Sequence, residues 1–323
     1  MEKVIRFAVN LNRSYKYLIL LSIALGGLFP QLGMPLRFLM PHLIATMTGS
    51  LALTCGRKDL YCVLRQPLSL LLGLAFMFGV TPFLAYMLSL GLLSTTFDTA
   101  TGLILVASTP SPWAVGVWTG LAGGDVALAL GLLSSSMVLS VFFTPLLIAL
   151  YLGTYVKLDL MRMSTDLFFL IALPIILVAC AKSRLKRSLE CFNPVFFSIS
   201  SIAAITIGAI VGATVSPLLK LQETIDILPM LTLATVTQCL LSFSVSYFAF
   251  RRLLKRSLRH SIALTYSVGS RNNSLAMGIA LTYFSPLAVI PSIVYLVAQI
   301  VTSSIMLKVL ERKMGNLRMP LVL

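Results

Sequence analysis

Long apolar runs separated by short polar or basic stretches dominate the pattern of this chain. A helix that spans a bilayer needs about 20 mostly apolar residues. Ten runs come close to or exceed that length, at 17–33, 38–54, 68–93, 98–122, 125–153, 163–181, 194–216, 227–250, 259–284 and 286–310. The pattern predicts an all-α polytopic membrane protein with ten transmembrane helices, which leaves no room for a soluble catalytic domain.

Two of the ten runs are interrupted. The fourth contains Ser108-Thr109-Pro110-Ser111-Pro112-Trp113, and Pro110 and Pro112 both remove backbone donors and disfavour a continuous helix. The ninth contains Tyr266-Ser267-Val268-Gly269-Ser270-Arg271-Asn272-Asn273-Ser274, which is mostly polar or glycine. Irregular backbone at membrane depth is tolerated where it faces protein or a wet cavity. We therefore predict helix breaks at Pro110, Pro112 and Gly269; the alternative is a pair of ordinary kinks.

The breaks occupy corresponding places in two halves of five spans each, 1–157 and 158–323. Because five is odd, homologous halves would lie in opposite orientations across the membrane. Inverted repeats of this kind are common in secondary transporters, whose binding site lies at the midplane between the halves. The sequence thus predicts a 5+5 inverted repeat in which broken helices 4 and 9 cross.

Arg271 is the most informative polar residue, because a guanidinium near the bilayer centre is costly and usually functional. Two broken helices would also direct helix N-termini, which attract anions, toward the crossing. We predict that an organic anion binds there to Ser111, Trp113, Ser270, Arg271, Asn272 and Asn273. The alternative is a structural role for Arg271, either in an ion pair with Asp98, Asp125 or Asp166, or as a donor to carbonyls at the end of the first half-helix.

Charge sets topology here and does not indicate a nucleic-acid partner. Only 11% of residues are charged and the formal net charge is +15. If the N-terminus is cytoplasmic, 20 of the 25 Lys and Arg residues, Lys16 among them, fall on the cytoplasmic side. This asymmetry is typical of membrane proteins, whose cytoplasmic loops are rich in Lys and Arg. Both termini are accordingly expected to be cytoplasmic.

Catalytic and metal-binding motifs are absent. The sequence has no His-Glu-x-x-His, phosphate-loop, dinucleotide-binding or nucleophile-elbow pattern. Five cysteines without Cys-x-x-Cys spacing and two histidines do not suggest a metal site. We expect no enzyme activity, no cofactor and no metal. Asp125 is expected to cap a helix, and Gln238 and Gln299 to form hydrogen bonds between helices.

Several motifs are similar to those of the bile acid:sodium symporter superfamily in its bacterial ten-span form. These are Gly102-Leu103-Ile104-Leu105 through Pro110, then Gly124-Asp125-Val126-Ala127-Leu128, Thr144-Pro145-Leu146-Leu147 and Gly269-Ser270-Arg271-Asn272-Asn273-Ser274-Leu275-Ala276. The resemblance implies a core of spans 3–5 and 8–10 that moves against a panel of spans 1–2 and 6–7. It also implies a location in the bacterial cytoplasmic membrane.

The sodium-ligand positions of that family are not retained. They fall on Met77, Val115, Gly116, Ala129, Leu133 and Ser267, and a family glutamine falls on Arg271. A fixed cation thus replaces much of an oxygen ligand set. We expect transport without sodium, with Arg271 standing in for the missing ion.

The predicted function is secondary transport of a small organic anion by alternating access around the crossing. One alternative is an exporter of another solute class, auxin-efflux-like or arsenite-type. Another is a non-transporting receptor or assembly subunit that kept the fold. The sequence leaves the substrate, coupling, direction and oligomeric state open.

Overall fold

The computed structural model describes residues 2–54, 66–94, 96–153, 160–184 and 192–314. Several sequence-based predictions fall outside the described residues. These are the boundary between the halves near Lys157, the basic loops at 55–65 and 185–191, and Cys55, Cys62 and Cys191.

The described part of the chain is helical and contains no strand. Twelve helices are numbered here in chain order, and short turns of helix between them are left unnumbered. They are α1 Glu2–Leu28, α2 Met40–Thr54, α3 Pro67–Leu92, α4 Phe97–Ala107, α5 Val115–Leu121, α6 Val126–Leu152, α7 160–184, α8 Asn193–Val215, α9 Gln222–Leu253, α10 Leu258–Gly269, α11 Asn273–Tyr283 and α12 Ile290–Met314. Helices α3, α7 and α9 each include a π-helical segment, at Phe76–Val80, Phe168–Ala172 and Ala249–Leu253.

Seven helical stretches in the described residues are long and apolar enough to cross a membrane. The predicted spans 98–122 and 259–284 are not among them, because each consists of two shorter helices, α4 with α5 and α10 with α11. The first predicted span coincides with a shorter apolar stretch, Ser14–Leu28. The chain is therefore a polytopic membrane protein, while ten spans and an inverted repeat stay predictions.

The sequence placed the start of α1 too late. The apolar run begins near residue 17, whereas the helix begins at Glu2. The residues before position 17 include several charged ones, which end an apolar run without disfavouring a helix, because Lys, Arg and Glu are good helix formers. Hydropathy thus detects the apolar part of α1 and misses its polar beginning.

Small residues allow α1 and α8 to approach closely. A Cβ added at Gly212 of α8 would overlap the carbonyl oxygen of Ile23, and one at Gly26 of α1 would overlap that of Ala209. Small residues are typical of helix contacts in membranes, where close packing rather than hydrophobicity holds helices together. Large apolar side chains such as Phe142 and Leu150 lie exposed on the surface of the bundle, as expected for lipid contact.

The helices pack in two groups. In one, α1 packs against α8, α8 against α2, and α2 against α7. In the other, α9 contacts α3, α10 and α12, and α6 contacts α4, α5 and α10. Helix α11 packs against α4 and α12 of the second group and also against α2 and α8 of the first. The segment after the second break therefore lies where the two groups meet.

Candidate substrate site

The two interrupted segments predicted from the sequence touch each other. The first lies between α4, which ends at Ala107, and α5, which begins at Val115. The second lies between α10, which ends at Gly269, and α11, which begins at Asn273. The backbone N–H of Asn272 donates to the carbonyl oxygen of Pro110 over 2.9 Å. A direct hydrogen bond thus joins the middle of one break to the other.

Arg271 is fully buried, and its guanidinium bonds to oxygens of the protein. Nη1 donates to the carbonyl oxygen of Thr109 over 2.9 Å, and Nη2 donates to that of Met77 over 3.2 Å. Nη2 also contacts the hydroxyl of Thr81, while Nε lies buried without a partner among the described residues. Of the alternatives left open by the sequence, the geometry matches donation to a carbonyl at the end of the first half-helix.

The three aspartates considered as partners for Arg271 have other surroundings. Asp125 caps α6, as predicted, by accepting a hydrogen bond from the backbone N–H of Leu128 over 3.0 Å. Asp166 accepts a hydrogen bond from the hydroxyl of Tyr283 over 2.8 Å. Asp98 lies in the first turn of α4, where a carboxylate interacts favourably with the helix dipole.

The π-helical segment of α3 and the residue directly after it supply two of the three oxygens around the guanidinium. It covers Phe76–Val80 and so begins one residue before Met77 and ends one residue before Thr81. The Thr81 hydroxyl donates to the Met77 carbonyl over 2.8 Å, and this bond fixes the positions of the two groups relative to each other. Single π turns inside α-helices occur frequently at functional sites, because they displace backbone groups from the regular ladder.

Helix α12 holds the second break. The side-chain oxygen of Gln299 accepts hydrogen bonds from the backbone N–H of Arg271 over 2.7 Å and from Nδ2 of Asn273 over 3.3 Å. The hydroxyl of Tyr295 donates to the carbonyl oxygen of Gly269 over 2.8 Å. Asn272 caps α11, since its Oδ1 accepts the backbone N–H of Leu275 over 3.1 Å. The predicted interhelical role of Gln299 is confirmed, whereas the same prediction for Gln238 is wrong, because both polar atoms of its side chain are buried without a hydrogen-bond partner among the described residues.

Helix α6 holds the first break. The hydroxyl of Thr144 donates to the carbonyl oxygen of Ser108 over 2.8 Å. The hydroxyl oxygen of Ser136 accepts the backbone N–H of Ser111 over 3.3 Å. Each interruption is therefore fixed by the helix that follows it in the chain.

A pocket lies beside the crossing, between the two groups of helices. It is lined by Tyr15, Lys16, Met47, Pro112, Trp113, Ala114, Trp118, Ala204, Arg271, Asn272, Asn273, Ser274, Leu296, Gln299 and Ile300. Among the predicted site residues, Trp113, Arg271, Asn272 and Asn273 line it. Ser111 and Ser270 are fully buried and lie outside this lining.

Sequence reasoning missed the pocket residues that come from α1 and α5. Lys16 was assigned to topology alone, and Tyr15 and Trp118 were not considered. The ring of Tyr15 meets that of Trp113 edge to face at 5.2 Å between centroids, and Trp113 also contacts Phe197 of α8 at 5.5 Å. The second tryptophan, Trp118, five positions after Trp113 in the sequence, was an available signal for an aromatic wall.

The positions that the family resemblance assigns to sodium ligands do not fit an alkali cation. The side chains of Met77, Val115, Ala129 and Leu133 are buried and apolar, and Ser267 alone among the buried positions carries a hydroxyl. An alkali ion must be surrounded by oxygens that replace its hydration shell. Here the oxygens of Thr109, Met77 and Thr81 already face a guanidinium.

Residues 40–240, more than half of the chain, match the family described as "Sodium Bile acid symporter family". The chain belongs to this family. It is 28% identical over 274 residues to the probable sodium/metabolite cotransporter BASS1, chloroplastic, of Arabidopsis thaliana, covering 84% of this chain and 66% of that protein. It is 25% identical over 296 residues to the uncharacterized sodium-dependent transporter YocS of Bacillus subtilis (strain 168), covering 91% of this chain and 88% of YocS.

A further relative is the uncharacterized protein YbaS of the same Bacillus strain, which is 23% identical over 293 residues, or 90% of this chain and 94% of YbaS. This chain thus spans about two thirds of the plant relative and most of the two bacterial ones. Family and relatives together mark this member of the sodium bile acid symporter family as a transporter and not an enzyme.

Proposed function

We propose that this family member is a secondary transporter of a small organic anion, which binds beside the crossing of the two interrupted segments. One observation carries the proposal: the pocket at that crossing is lined by two cationic residues and by no carboxylate. The pocket also contains the beginning of α11, where the helix dipole favours negative charge. A carboxylate or sulfonate on an apolar body matches this combination of charge and aromatic walls.

Ten spans in a 5+5 inverted repeat describe the helices best. In this arrangement α4 with α5 forms the fourth span and α10 with α11 forms the ninth. The support is that α6 forms hydrogen bonds with the first break and α12 with the second. The last helix of each half thus stabilises the break in that half. The group with α3, α6, α9 and α12 would be the core, and the group with α1, α2, α7 and α8 the panel. Both termini would lie in the cytoplasm of a bacterial cell.

Contacts at the far end of α11 support alternating access. There a guanidinium N–H of Arg37, from the segment before α2, donates to the carbonyl oxygen of Leu281, and Tyr283 donates to Asp166 of α7. The eleven residues from Asn273 to Tyr283 span about 15 Å along the axis, at a rise of 1.5 Å from each residue to the next. Panel and core are thus linked at one end of α11, while the pocket lies at the other. Opening the opposite face requires these two links to break.

The same geometry supports sodium independence. A sodium ion would have to compete with a covalently attached guanidinium for the oxygens of Thr109, Met77 and Thr81. Two positive charges a few ångströms apart repel each other strongly in a medium of low dielectric constant. In this proposal Arg271 takes the place of the sodium ion, and transport proceeds by uniport, by exchange or with another coupling.

Reconstituted protein tests the proposal. Proteoliposomes are loaded with unlabelled phenylacetate, and uptake of radiolabelled phenylacetate is measured in sodium chloride and in choline chloride, with protein-free liposomes as the control. We expect protein-dependent uptake at equal rates in the two salts. Uptake that needs sodium would overturn the sodium independence, and binding without any flux would favour a receptor.

A further inference from the structure

Arg271 and Lys16 are the cationic residues that line the pocket, and they differ in what they already bind. Both terminal nitrogens of Arg271 donate to protein oxygens, and its side chain is fully buried. Lys16 lies in α1, is partly exposed, and has no carboxylate within ion-pair distance among the described residues. Its Nζ lies 5.0 Å from the centroid of the Tyr17 ring.

From this difference we propose that Lys16, and not Arg271, supplies the positive charge that selects anions in the pocket. The inference rests on the proposed function and identifies the residue responsible for specificity. A lysine carries three donors on a flexible four-carbon stem, so its ammonium group can reach a ligand without disturbing α1. A partly desolvated ammonium also attracts a carboxylate more strongly than one in bulk water.

Lys16 also has a plainer explanation as one of the lysines and arginines that set topology. That role accounts for its place near the cytoplasmic end of the first apolar stretch. It does not account for its position in the lining of a pocket that Tyr15, Asn272 and Asn273 also line. Topology requires a charge in the right loop, whereas anion selection requires it at this position.

Asn273 adds a second requirement on the ligand. Asn273 is 3% exposed and its Nδ2 donates to Arg271 and Gln299, but its Oδ1 has no hydrogen-bond partner among the described residues. A buried acceptor without a partner is destabilising, and a ligand donor would relieve that cost. Trp113, Trp118 and Tyr15 provide flat apolar walls. The pocket thus fits a monoanion that has a flat apolar body and one hydrogen-bond donor.

The two tryptophans of the chain, Trp113 and Trp118, both line this pocket, so intrinsic tryptophan fluorescence reports its occupation directly. Purified full-length protein is titrated with 4-hydroxyphenylacetate, with phenylacetate, with the neutral 4-hydroxyphenylacetamide and with the cation tyramine. We expect 4-hydroxyphenylacetate to bind tightest, phenylacetate several-fold more weakly because it lacks the donor, the amide more weakly still, and tyramine not at all. Equal binding of all four would overturn the inference.

Substitutions then assign the charge to one residue. Lys16→Gln and Lys16→Met should each weaken 4-hydroxyphenylacetate binding about tenfold or more, because the ligand loses a hydrogen bond to a charged donor. Neither should change binding of the amide, Lys16→Arg should restore anion binding, and Lys220→Gln, on an exposed turn far along the chain, should match the wild type. Unchanged anion affinity in both uncharged variants would overturn the assignment.

The role of Lys16 in binding and the proposed transport function are tested by different measurements, so one can fail without the other. Fluorescence titration reads the role of Lys16 whether or not the anion crosses the membrane. A protein that binds the anion through Lys16 but shows no flux in liposomes would support the inference and sink the proposed function. A protein that transports the anion but binds it equally well without the charge of Lys16 would support the proposed function and overturn the inference.

Discussion

In the first interruption seven residues, 108–114, separate α4 from α5, whereas in the second three residues, 270–272, separate α10 from α11. The longer segment contains Pro110 and Pro112, which have no N–H to donate. Its carbonyl groups at Thr109 and Pro110 instead accept hydrogen bonds from Arg271 and Asn272. The shorter segment contributes the donors. Acceptors from one break are satisfied by donors from the other.

This difference shows how irregular backbone is kept stable at membrane depth. In lipid an unsatisfied backbone group costs several kcal/mol, so a broken helix needs partners that water cannot provide. Here each break provides hydrogen-bond partners for the other, and α6 and α12 provide further partners. We therefore expect Arg271 to act first as a link between the breaks, and the two breaks to move as one unit in the proposed transport cycle.

The largest effect is expected from Arg271→Gln. The variant loses at least two hydrogen bonds to a charged group, each contributing about 1.5–3 kcal/mol. Relief from burying a guanidinium partly offsets that loss, so the variant should still fold. Transport should fall about 100-fold, corresponding to roughly 2.7 kcal/mol at 1.36 kcal/mol per factor of ten, because the bond from Arg271 to Thr109 is lost and the backbone bond from Asn272 to Pro110 remains as the direct link between the breaks. The exchange assay in proteoliposomes measures this.

Anion affinity separates the linking role of Arg271 from a binding role. If Lys16 supplies the charge for the ligand, Arg271→Gln should weaken 4-hydroxyphenylacetate binding less than Lys16→Gln does. A normal transport rate in Arg271→Gln would contradict the linking role. Complete loss of binding in that variant, with Lys16→Gln unaffected, would return Arg271 to the role first predicted from the sequence.

Much of this arrangement could be predicted from the sequence, because it rests on strong local signals. Paired prolines and a polar stretch inside apolar runs indicated both breaks, and Asp125 after two glycines indicated a helix cap. The partners of Arg271 could not be predicted, since two of the three oxygens belong to Met77 in a π turn of α3 and to Thr81 directly after it, and that turn has no sequence signature.

The position of Lys16 in the pocket lining could not be predicted for a related reason. A lysine near the end of an apolar run looks the same in sequence whether it faces the cytoplasm or a pocket. What distinguishes the two cases is the packing of α1 against α8 and of Tyr15 against Trp113, which are contacts between distant parts of the chain. Hydropathy and charge bias carry no information about such contacts.

Gln299→Leu should have an intermediate effect, on stability. The substitution keeps a side chain of similar size but removes the acceptor for the N–H of Arg271 and for Nδ2 of Asn273. Two buried donors lose this partner at about 1–3 kcal/mol each, and Asn273 keeps its bond to the Arg271 carbonyl, so we expect a loss of about 2–3 kcal/mol. Unfolding in mixed micelles by a denaturing detergent measures the change. A loss below 1 kcal/mol would mean that α12 does not hold the second break.

The smallest effect is expected from Thr144→Val, the matching substitution at the first break. Valine has nearly the same shape as threonine but cannot donate to the carbonyl oxygen of Ser108. The two prolines already restrict the backbone of that segment, and one acceptor loses one neutral hydrogen bond, so about 1 kcal/mol should be lost. Thr206→Val is the control, because that exposed threonine bonds within its own helix to Ile202 and should change stability by less than about 0.5 kcal/mol. If Thr144→Val lowered the free energy of unfolding as much as Gln299→Leu, the two breaks would depend equally on their supporting helices. The proposed difference between the first break, which prolines restrict and which accepts hydrogen bonds, and the second, which donates them, would then be wrong.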